Sequence, residues 1–173
     1  MARTRKNILL VDGYNVINSW KELVKLKNHS FEDAREKLIE EMAEFSSLSA
    51  EEVTIVFDAY KSDYTKEVIE RKLNVNIVFT KKFQTADSFI EREVDKLARK
   101  ENVRVCSDDS QIQSLSLDRG ATRLTASELK NELFNRRMNI KRKKRENQEL
   151  FLKDFPMSKE NIKKLDEIGK KIK

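Results

Sequence analysis

The stretch Ile8-Leu9-Leu10-Val11-Asp12-Gly13-Tyr14-Asn15 decides the fold class. Its first four residues form a short, continuous apolar run, which is typical of a strand that is buried on both faces of a parallel sheet. The run ends at an aspartate, after which turn-forming residues take over. An apolar run that ends in acid recurs at residues 53–58 and 103–109. The repeated pattern predicts parallel strands that each end near a carboxylate.

Helical patterns separate these apolar runs. Four segments are predicted to be helical, at residues 31–45, 64–73, 85–100 and 111–117. Ser30 and Thr85 are the predicted N-caps of the first and third, and Gly120 suits the end of the last. Further strands are predicted at residues 75–79 and 121–124. Because strands alternate with helices, we expect right-handed βαβ units and a mostly parallel sheet that helices cover on both faces.

The C-terminal quarter is predicted to be helical almost throughout. Thr125 and Glu128 form a capping box at the start of a helix that extends over residues 125–153. Pro156 ends this helix, and Ser158 begins a last one. The long middle helix contains the basic run that distinguishes this part of the chain.

Positive charge is concentrated in the same region. Residues 134–173 hold 14 Lys and Arg against 6 Asp and Glu, whereas residues 1–133 hold 22 basic and 24 acidic residues. We therefore expect a domain at residues 1–133 and a basic helical extension at residues 134–173. Such a charge distribution suits a protein that binds a polyanion. The alternative is a solvated helix that only keeps the protein soluble.

Carboxylates end three of the four main predicted strands. Asp12 and Asp58 follow the first two, Asp108 and Asp109 follow the fourth, and Asp87 lies in the first turn of the third predicted helix. Parallel strands bring their carboxyl ends to one edge of a sheet, and clustered carboxylates stay ionised only when cations neutralise them. Hard oxygen ligands select Mg²⁺ or Mn²⁺, which can activate water against a phosphodiester. Each aspartate alone would equally suit a turn or a helix cap.

Two further residues near the first strand have two interpretations each. Asn15 could orient Asp12 or bind a metal-bound water or a phosphate, or it could cap a turn or a helix. Tyr14 could stack on a nucleic-acid base or could pack against the core.

The composition excludes several other classes of site. His29 and Cys106 are the single histidine and cysteine, which is too few for a Cys/His zinc site and leaves one polar-loop histidine for a serine-hydrolase triad. Neither Gly-x-Gly-x-x-Gly nor Gly-Lys-Ser/Thr occurs, so no nucleotide cofactor is expected. The apolar runs are far shorter than the roughly 20 residues that span a bilayer, and the start lacks the apolar region of a signal peptide. A lone cysteine suits a reducing compartment, so we expect a cytoplasmic protein with no membrane partner.

Four segments, taken in order, resemble the motifs of a known family. They are Val11-Asp12-Gly13-Tyr14-Asn15, Phe57-Asp58-Ala59, Thr85-Ala86-Asp87-Ser88-Phe89-Ile90-Glu91 and Ser107-Asp108-Asp109. Together they are similar to NYN-domain proteins of the PIN-like nuclease group, and in particular to the YacP-type bacterial branch. The resemblance covers nearly the whole chain. It implies a PIN-like three-layer α/β/α fold, Mg²⁺- or Mn²⁺-dependent endoribonuclease activity on single-stranded RNA, and an association with ribosomes and messenger RNA decay.

The resemblance also implies roles for individual residues. The candidate catalytic residues are Asp12, Asn15, Asp87 and Asp108. The candidate metal ligands are Asp12, Asp58, Asp87, Asp108 and Asp109, and two adjacent acids leave it open whether Asp108 or Asp109 faces the site. Apart from the resemblance, stacking by an aromatic ring and the uninterrupted basic run give the candidate RNA contacts, which are Tyr14, Arg136, Arg137, Lys141, Arg142, Lys143, Lys144 and Arg145. The alternative function is a non-catalytic RNA- or ribosome-binding module with a vestigial acidic site, although no acid of the set has been replaced.

Overall fold

The structure is a computed structural model that describes residues 4–58 and 65–154. Within these residues the strands are β1 (Asn7–Asp12), β2 (Glu52–Phe57), β3 (Val68–Lys72), β4 (Val75–Phe79), β5 (Asn102–Cys106) and β6 (Thr122–Leu124). The helices are α1 (Gly13–Ser19), α2 (Lys21–Lys27), α3 (Phe31–Ser49), α4 (Ala86–Leu97), α5 (Ser110–Asp118) and α6 (Ala126–Asp154). The chain divides into two compact units, Met1–Phe134 and Asn135–Lys173, and the sheet belongs to the first.

A single sheet with the strand order β3-β4-β2-β1-β5-β6 organises the first unit. Every neighbouring pair is parallel except β3 and β4, which are antiparallel. The central strand β1 pairs with β2 on one side and with β5 on the other, so that Leu10 lies between Thr54 and Val105. The predicted mostly parallel sheet is confirmed.

Alternating side chains of β1 divide the core between the two faces of the sheet. Leu9 and Val11 belong to the apolar cluster that includes residues of α1, α2, α3 and the start of α6. Ile8 and Leu10 belong to the cluster that includes residues of α4 and α5. The strand is buried on both faces because helices cover both. The three-layer α/β/α architecture is therefore confirmed.

The helix predicted at residues 64–73 is wrong. Residues 68–72 form the strand β3, which pairs antiparallel with β4. Four of its five residues are exposed and three of them are charged, which is how natural sheets protect an edge strand from pairing with other chains. Exposed, charged residues are equally typical of the solvent-facing side of a helix, which is why the sequence favoured a helix here. Leu73, with a positive φ of 56°, begins the tight reversal into β4.

The chain after β1 is helical rather than a turn. Asp12 has extended backbone angles and caps the helix α1, which begins directly at Gly13. The short helices α1 and α2 were not predicted, since neither is long enough to show a clear apolar period. The other predicted caps are confirmed: Ser30, Thr85 and Thr125 accept hydrogen bonds from residues three positions on. The helix expected from Ser158, with Pro156 before it, lies outside the described residues.

Among the helices of the described part of the chain, none is both long enough and apolar enough to cross a membrane.

Candidate active site at the carboxyl edge of the sheet

The carboxyl ends of the parallel strands open into one cavity of about 840 Å³. Four carboxylates line it, and they come from four separate places in the chain. One ends β1, one follows β2, one lies in the first turn of α4, and one precedes α5; these are Asp12, Asp58, Asp87 and Asp109. Below, these four residues are called the acidic edge. The fold thus brings together acids that are up to 97 positions apart in the sequence.

Asp12 is the most enclosed member of the acidic edge, with 9% of its surface exposed. Its Oδ1 accepts a hydrogen bond from the backbone N–H of Asn15 at 3.1 Å, which caps α1. Burial raises the pKa of Asp12 to about 6, and the negative charges of Asp87, Asp109 and Asp58 add to the rise, against the effect of the capping hydrogen bond. Near neutral pH this carboxylate is therefore an unfavourable bare anion.

The pKa values of Asp58 and Asp87 are raised as well. Partial burial raises the pKa of Asp87, and the charges of Asp109 and Asp58 raise it further. Burial also raises the pKa of Asp58, while a hydrogen bond with the Thr80 side chain works against that rise. Each member of the acidic edge thus destabilises the charge of another, which is the electrostatic arrangement that a cation relieves.

The two adjacent acids after β5 have different environments. Asp109 lines the cavity, and its Oδ1 accepts from the backbone N–H groups of Gln111 at 2.7 Å and Ile112 at 3.4 Å, so it caps α5. Asp108 is not among the residues that line this cavity. Its Oδ1 accepts from the backbone N–H of Ala126 at 2.8 Å, and its Oδ2 accepts from the Ser19 hydroxyl. The structure therefore brings Asp109, and not Asp108, to the acidic edge.

Asn15 joins two parts of the site. It lines the cavity, and its Oδ1 accepts a hydrogen bond from the backbone N–H of Asp108 at 2.9 Å. Since its own N–H donates to Asp12, the residue connects the end of β1 to the loop after β5. The side chain of Asn15 therefore binds the loop after β5, while its backbone N–H belongs to the helix cap that Asp12 provides.

Gly13 allows the close packing beneath Asp12. A Cβ atom at this position would lie 2.3 Å from Cε1 of Phe57, whose side chain is fully buried. The Phe57 ring is stacked on Phe79 at 5.6 Å and lies edge-on to Tyr14 at 5.2 Å. The ring therefore has little room to yield, and only glycine fits where the chain passes from β1 into α1.

The rest of the cavity lining is aromatic, cationic and polar. Sequence reasoning proposed only Tyr14 and Asn15 from this set; the structure adds Lys27 at the end of α2 and Phe31 and Arg35 on the first turns of α3, with Asn18, Thr85 and Ala86. Phe31 and Arg35 are four positions apart on a predicted helix, so a shared helix face was visible in the sequence. That this face would lie against the acidic edge was not.

The donor set suits a hard divalent cation. Carboxylate oxygens are the ligands that Mg²⁺ and Mn²⁺ prefer, and Mg²⁺ is often held by only one or two carboxylates while it keeps several waters. Within residues 4–58 and 65–154, no three His, Cys, Asp or Glu side chains stand close enough to form a ready-made metal cage. The acidic edge therefore fits an ion that is bound through few protein ligands together with water and phosphate.

The predicted basic RNA contacts lie on α6, in the second unit. Lys141, Arg142, Lys143, Lys144 and Arg145 are exposed. Arg136 and Arg137 are half-buried and have partners of their own. Arg142 lies 3.6 Å from Glu146, an exposed ion pair that contributes little to stability.

The single cysteine and histidine take no part in the cavity lining. Cys106 is buried, and burial raises the pKa of its thiol far above the ordinary value, so the residue packs as a small apolar side chain. His29 is exposed in the turn before α3.

Comparisons with known proteins show which family the chain belongs to. The sequence profile of the YacP-like NYN domain matches residues 9–170. The chain is 38% identical over 142 residues to the protein YacP of Bacillus subtilis (strain 168), with 80% of this chain and 82% of that protein covered. A crystal structure of a mutant of Rae1 (YacP) from Bacillus subtilis has a TM-score of 0.69 and 36% identity, over 83% of this chain and 84% of that one. Another crystal structure of Rae1 (YacP) has a TM-score of 0.67 and 34% identity, over 95% of each chain. The chain therefore belongs to the YacP-like NYN domain family.

Proposed function

We propose that this protein is a divalent-metal-dependent endoribonuclease that cleaves single-stranded RNA. Membership of the YacP-like NYN domain family indicates a nuclease-like function on RNA. The observation that carries the finer proposal is the meeting of Asp12, Asp58, Asp87 and Asp109 in one cavity. Burial raises the pKa values of Asp12, Asp58 and Asp87, and the negative charges of their neighbours add to the rise for Asp12 and Asp87, so a bound cation would stabilise these carboxylates as anions.

One or two of Asp12, Asp87 and Asp109 would hold Mg²⁺ or Mn²⁺ directly, and the others, with Asp58 beside them, would act on it through its bound water. When bound, such an ion lowers the pKa of a coordinated water and stabilises the charge of a phosphodiester under attack. The chain contributes the placement of its carboxylates: Asp12 and Asp109 are each fixed by a helix cap. Asn15 keeps the loop after β5 aligned with the start of α1. Asp108 supports this geometry through Ser19 and Ala126 rather than binding the ion.

The RNA substrate is proposed to be messenger RNA that is cleaved in association with the ribosome. The exposed run of Lys141, Arg142, Lys143, Lys144 and Arg145 supports this step, because clustered cations bind the phosphate backbone without regard to sequence. Arg136 and Arg137 extend the same run toward the first unit in sequence. Co-sedimentation with ribosomes at low salt, and its loss at high salt, would test the association.

The direct test is RNA cleavage by the purified full chain. Structured and unstructured RNA, and a circular single-stranded RNA, are incubated with Mg²⁺, with Mn²⁺ or with a chelator. We expect cleavage of the unstructured linear and circular RNA in the presence of either metal and none with the chelator. A circular RNA has no ends, so its cleavage identifies an endonuclease. Cleavage that persists with the chelator would contradict the proposed metal dependence.

Substitutions in the acidic edge provide the second arm. Asp12→Asn and Asp87→Asn should each reduce cleavage at least about a hundredfold while the protein stays folded, since even residues that only support metal ligands cost about 10- to 100-fold when changed. Asp118→Asn, an exposed aspartate at the end of α5, is the matched control. Either acidic-edge variant cleaving at the wild-type rate would remove that residue from the site.

A non-catalytic RNA-binding module is distinguished by the same experiment together with a metal titration. Such a module would bind RNA through its basic run but would neither cleave it nor bind Mn²⁺ at the acidic edge. Mn²⁺ binding that is lost in Asp87→Asn and retained in Asp118→Asn would support the nuclease.

A further inference from the structure

The cavity has a second set of lining residues whose chemistry is opposite to that of the acidic edge. Tyr14, Lys27, Phe31 and Arg35 supply two aromatic rings and two cations, and all four face the cavity that the acids line. Below, they are called the aromatic-cationic wall. The acidic edge would hold an ion and, through it, the phosphate that reacts. That role does not explain why two aromatic rings and two cations line the same cavity.

Phe31 is the exposed ring of this wall. It is the first residue of α3, directly after the N-cap Ser30, and 55% of its surface is exposed. The Tyr14 ring lies edge-on to it, with ring centroids 6.3 Å apart and an interplanar angle of 82°. Tyr14 is itself held against the buried Phe57 ring at 5.2 Å. The exposed ring therefore lies on a fixed base, as a stacking platform requires.

The cations of the wall are placed around these rings. Lys27 Nζ lies 5.9 Å from the centroid of Phe31 and donates to Asn18 Oδ1 at 2.6 Å. The Arg35 guanidinium donates to the Tyr14 hydroxyl at 3.3 Å and pairs with Glu32. Five N–H donors on one guanidinium leave Arg35 able to bind a phosphate oxygen while it keeps these contacts.

We propose that the aromatic-cationic wall is a subsite for one unpaired nucleotide of RNA that flanks the phosphate at the acidic edge. The base stacks on Phe31, and Lys27 and Arg35 bind the phosphate next along the strand. The inference rests on the proposed nuclease function, and it adds a substrate requirement. A base held in this way must be free of its own stack and partner, so a duplex cannot enter. Because every base has a π-face, the subsite tolerates sequence.

The test is the binding of a short single-stranded RNA that contains 2-aminopurine, a fluorescent base that reports its own stacking. Binding to the full chain is measured with a chelator present, so that cleavage does not interfere. We expect Phe31→Ala to weaken binding about tenfold and to remove the fluorescence change, since one base stacked on a protein ring contributes about that much. Phe31→Trp should restore both. Lys27→Gln should weaken binding and reduce the salt slope by about one.

Two matched controls separate stacking from general effects. Phe134→Ala removes a ring of similar exposure, 59%, that does not line the cavity. Lys130→Gln removes a lysine that, like Lys27, lies over an aromatic ring, here Trp20 at 5.6 Å, and has a hydrogen-bond partner in Glu22. Both controls should keep the fluorescence change. Thermal unfolding of each variant identifies any loss of fold.

The outcomes distinguish this inference from the proposed function. If the wild-type chain cleaves RNA but Phe31→Ala keeps its affinity and its fluorescence change, the subsite is refuted and the nuclease stands. If no RNA is cleaved with any metal while Phe31→Ala loses the signal, the nuclease is refuted and the wall remains a nucleotide-binding surface. Failure of the wild-type chain to change the fluorescence, or equal signals from single-stranded and duplex RNA, would also overturn the subsite.

Discussion

The acidic edge and the basic run of residues 136–145 achieve their charge in opposite ways. The acidic edge brings Asp12, Asp58, Asp87 and Asp109 from four separate places in the chain into one cavity, where burial raises the pKa of Asp12 and the negative charges of the others add to the rise. The basic run takes its cations from ten consecutive residues of one helix, most of them exposed. The first arrangement exists only when the strands of the sheet are assembled in their correct order. The second needs only that α6 be helical.

This contrast separates a site that performs chemistry from a surface that provides affinity. Charges that are concentrated and partly buried have raised pKa values, a preference for cations and a requirement for exact spacing. Charges that are spread along a solvated helix act through the ionic atmosphere and tolerate wide changes in position. A substitution in the acidic edge should therefore change the rate of RNA cleavage, the pH dependence of stability and the packing. A substitution in the basic run should change only the affinity for RNA.

The largest expected effect separates the two neighbouring acids after β5. Asp109→Asn should reduce metal-dependent RNA cleavage at least about a hundredfold, because its carboxylate lines the cavity. Asp108→Asn should cleave within a few fold of the wild type, since an amide oxygen can still accept from Ala126 and the amide can donate to Ser19. Initial rates at saturating RNA measure both. Equal losses in the two variants would mean that Asp108 also contacts the ion or the substrate.

The next effect concerns affinity alone. Four cations of the basic run are replaced with glutamine, at Lys141, Arg142, Lys144 and Arg145. RNA binding should weaken about a hundredfold at about 0.1 M salt, and the slope of log affinity against log salt should flatten by about three, if each cation contacts one phosphate. Cleavage of a short oligonucleotide at saturating concentration should change little. Filter binding over a salt series provides the measurement.

A charge-matched control keeps that experiment specific. Four cations on exposed or half-exposed positions of the first unit are replaced in the same way, at Lys37, Lys96, Arg99 and Lys100. This control has the same net charge as the basic-run variant and should retain the salt slope. Equal slopes in the two variants would mean that net charge, and not the run, governs binding.

Of the two regions compared, the acidic edge should make stability depend on pH. The pKa of Asp12 is about 6 in the folded protein against 3.8 for the ordinary side chain. Between these values the folded protein keeps a proton that the unfolded chain loses, so metal-free stability should fall as pH rises from about 4 through about 6. The loss is at most about 3 kcal/mol. The variant Asp12→Asn keeps an oxygen that can accept the hydrogen bond of the α1 cap. It has no carboxyl group to titrate, so this loss of stability with rising pH should be absent.

Urea unfolding of the two proteins with a chelator checks this prediction. The variant should be as stable as the wild type near pH 4 and more stable near pH 7. Added Mg²⁺ should recover stability in the wild type at the higher pH and leave the variant almost unchanged. A stability difference that is constant across this range would show that Asp12 does not titrate as its burial indicates.

The smallest expected effect tests close packing. Gly13→Ala places a methyl group 2.3 Å from a ring atom of Phe57, and overpacking of this kind costs about 1–3 kcal/mol. Cleavage should fall with it, because Asp12 is the neighbouring residue. Lys143→Ala in the basic run should change the free energy of unfolding by less than about 0.5 kcal/mol. A Gly13→Ala protein as stable as the wild type would show that the Phe57 ring can move aside.

Much of the frame was predictable because buried parallel strands have a strong signature. Short apolar, β-rich runs marked β1, β2, β4 and β5, and the acidic ends of three of them, β1, β2 and β5, indicated where a site would form. The edge strand β3 was misread as helical because its exposed, charged residues form no continuous apolar run and are not followed by an aspartate. The short helices α1 and α2 were missed for lack of a full apolar period.

The sequence indicated an acidic site at the carboxyl edge of the sheet, but it did not identify every residue that lines the cavity. A shift of one residue exchanges Asp108 for Asp109, and only the hydrogen bonds of Asp108 to Ser19 and Ala126 identify which carboxylate faces the cavity. The aromatic-cationic wall depends on how α2 and the start of α3 pack over the sheet edge. Such packing follows from tertiary contacts that no local pattern in Lys27 or Phe31 specifies.

The central place of β1 has a consequence for synthesis of the chain. β1 pairs with β2, which follows after about 40 residues, but its other partner β5 comes only after residue 101. While the chain is being made, from its N-terminus, one side of β1 has no strand beside it and Asp12 has neither Asp87 nor Asp109 as a neighbour. Non-local pairing of this kind is slow to form. The proposed nuclease would thus stay inactive until residue 109 has emerged, and a growing chain that has not reached that stage could not cut the message that encodes it.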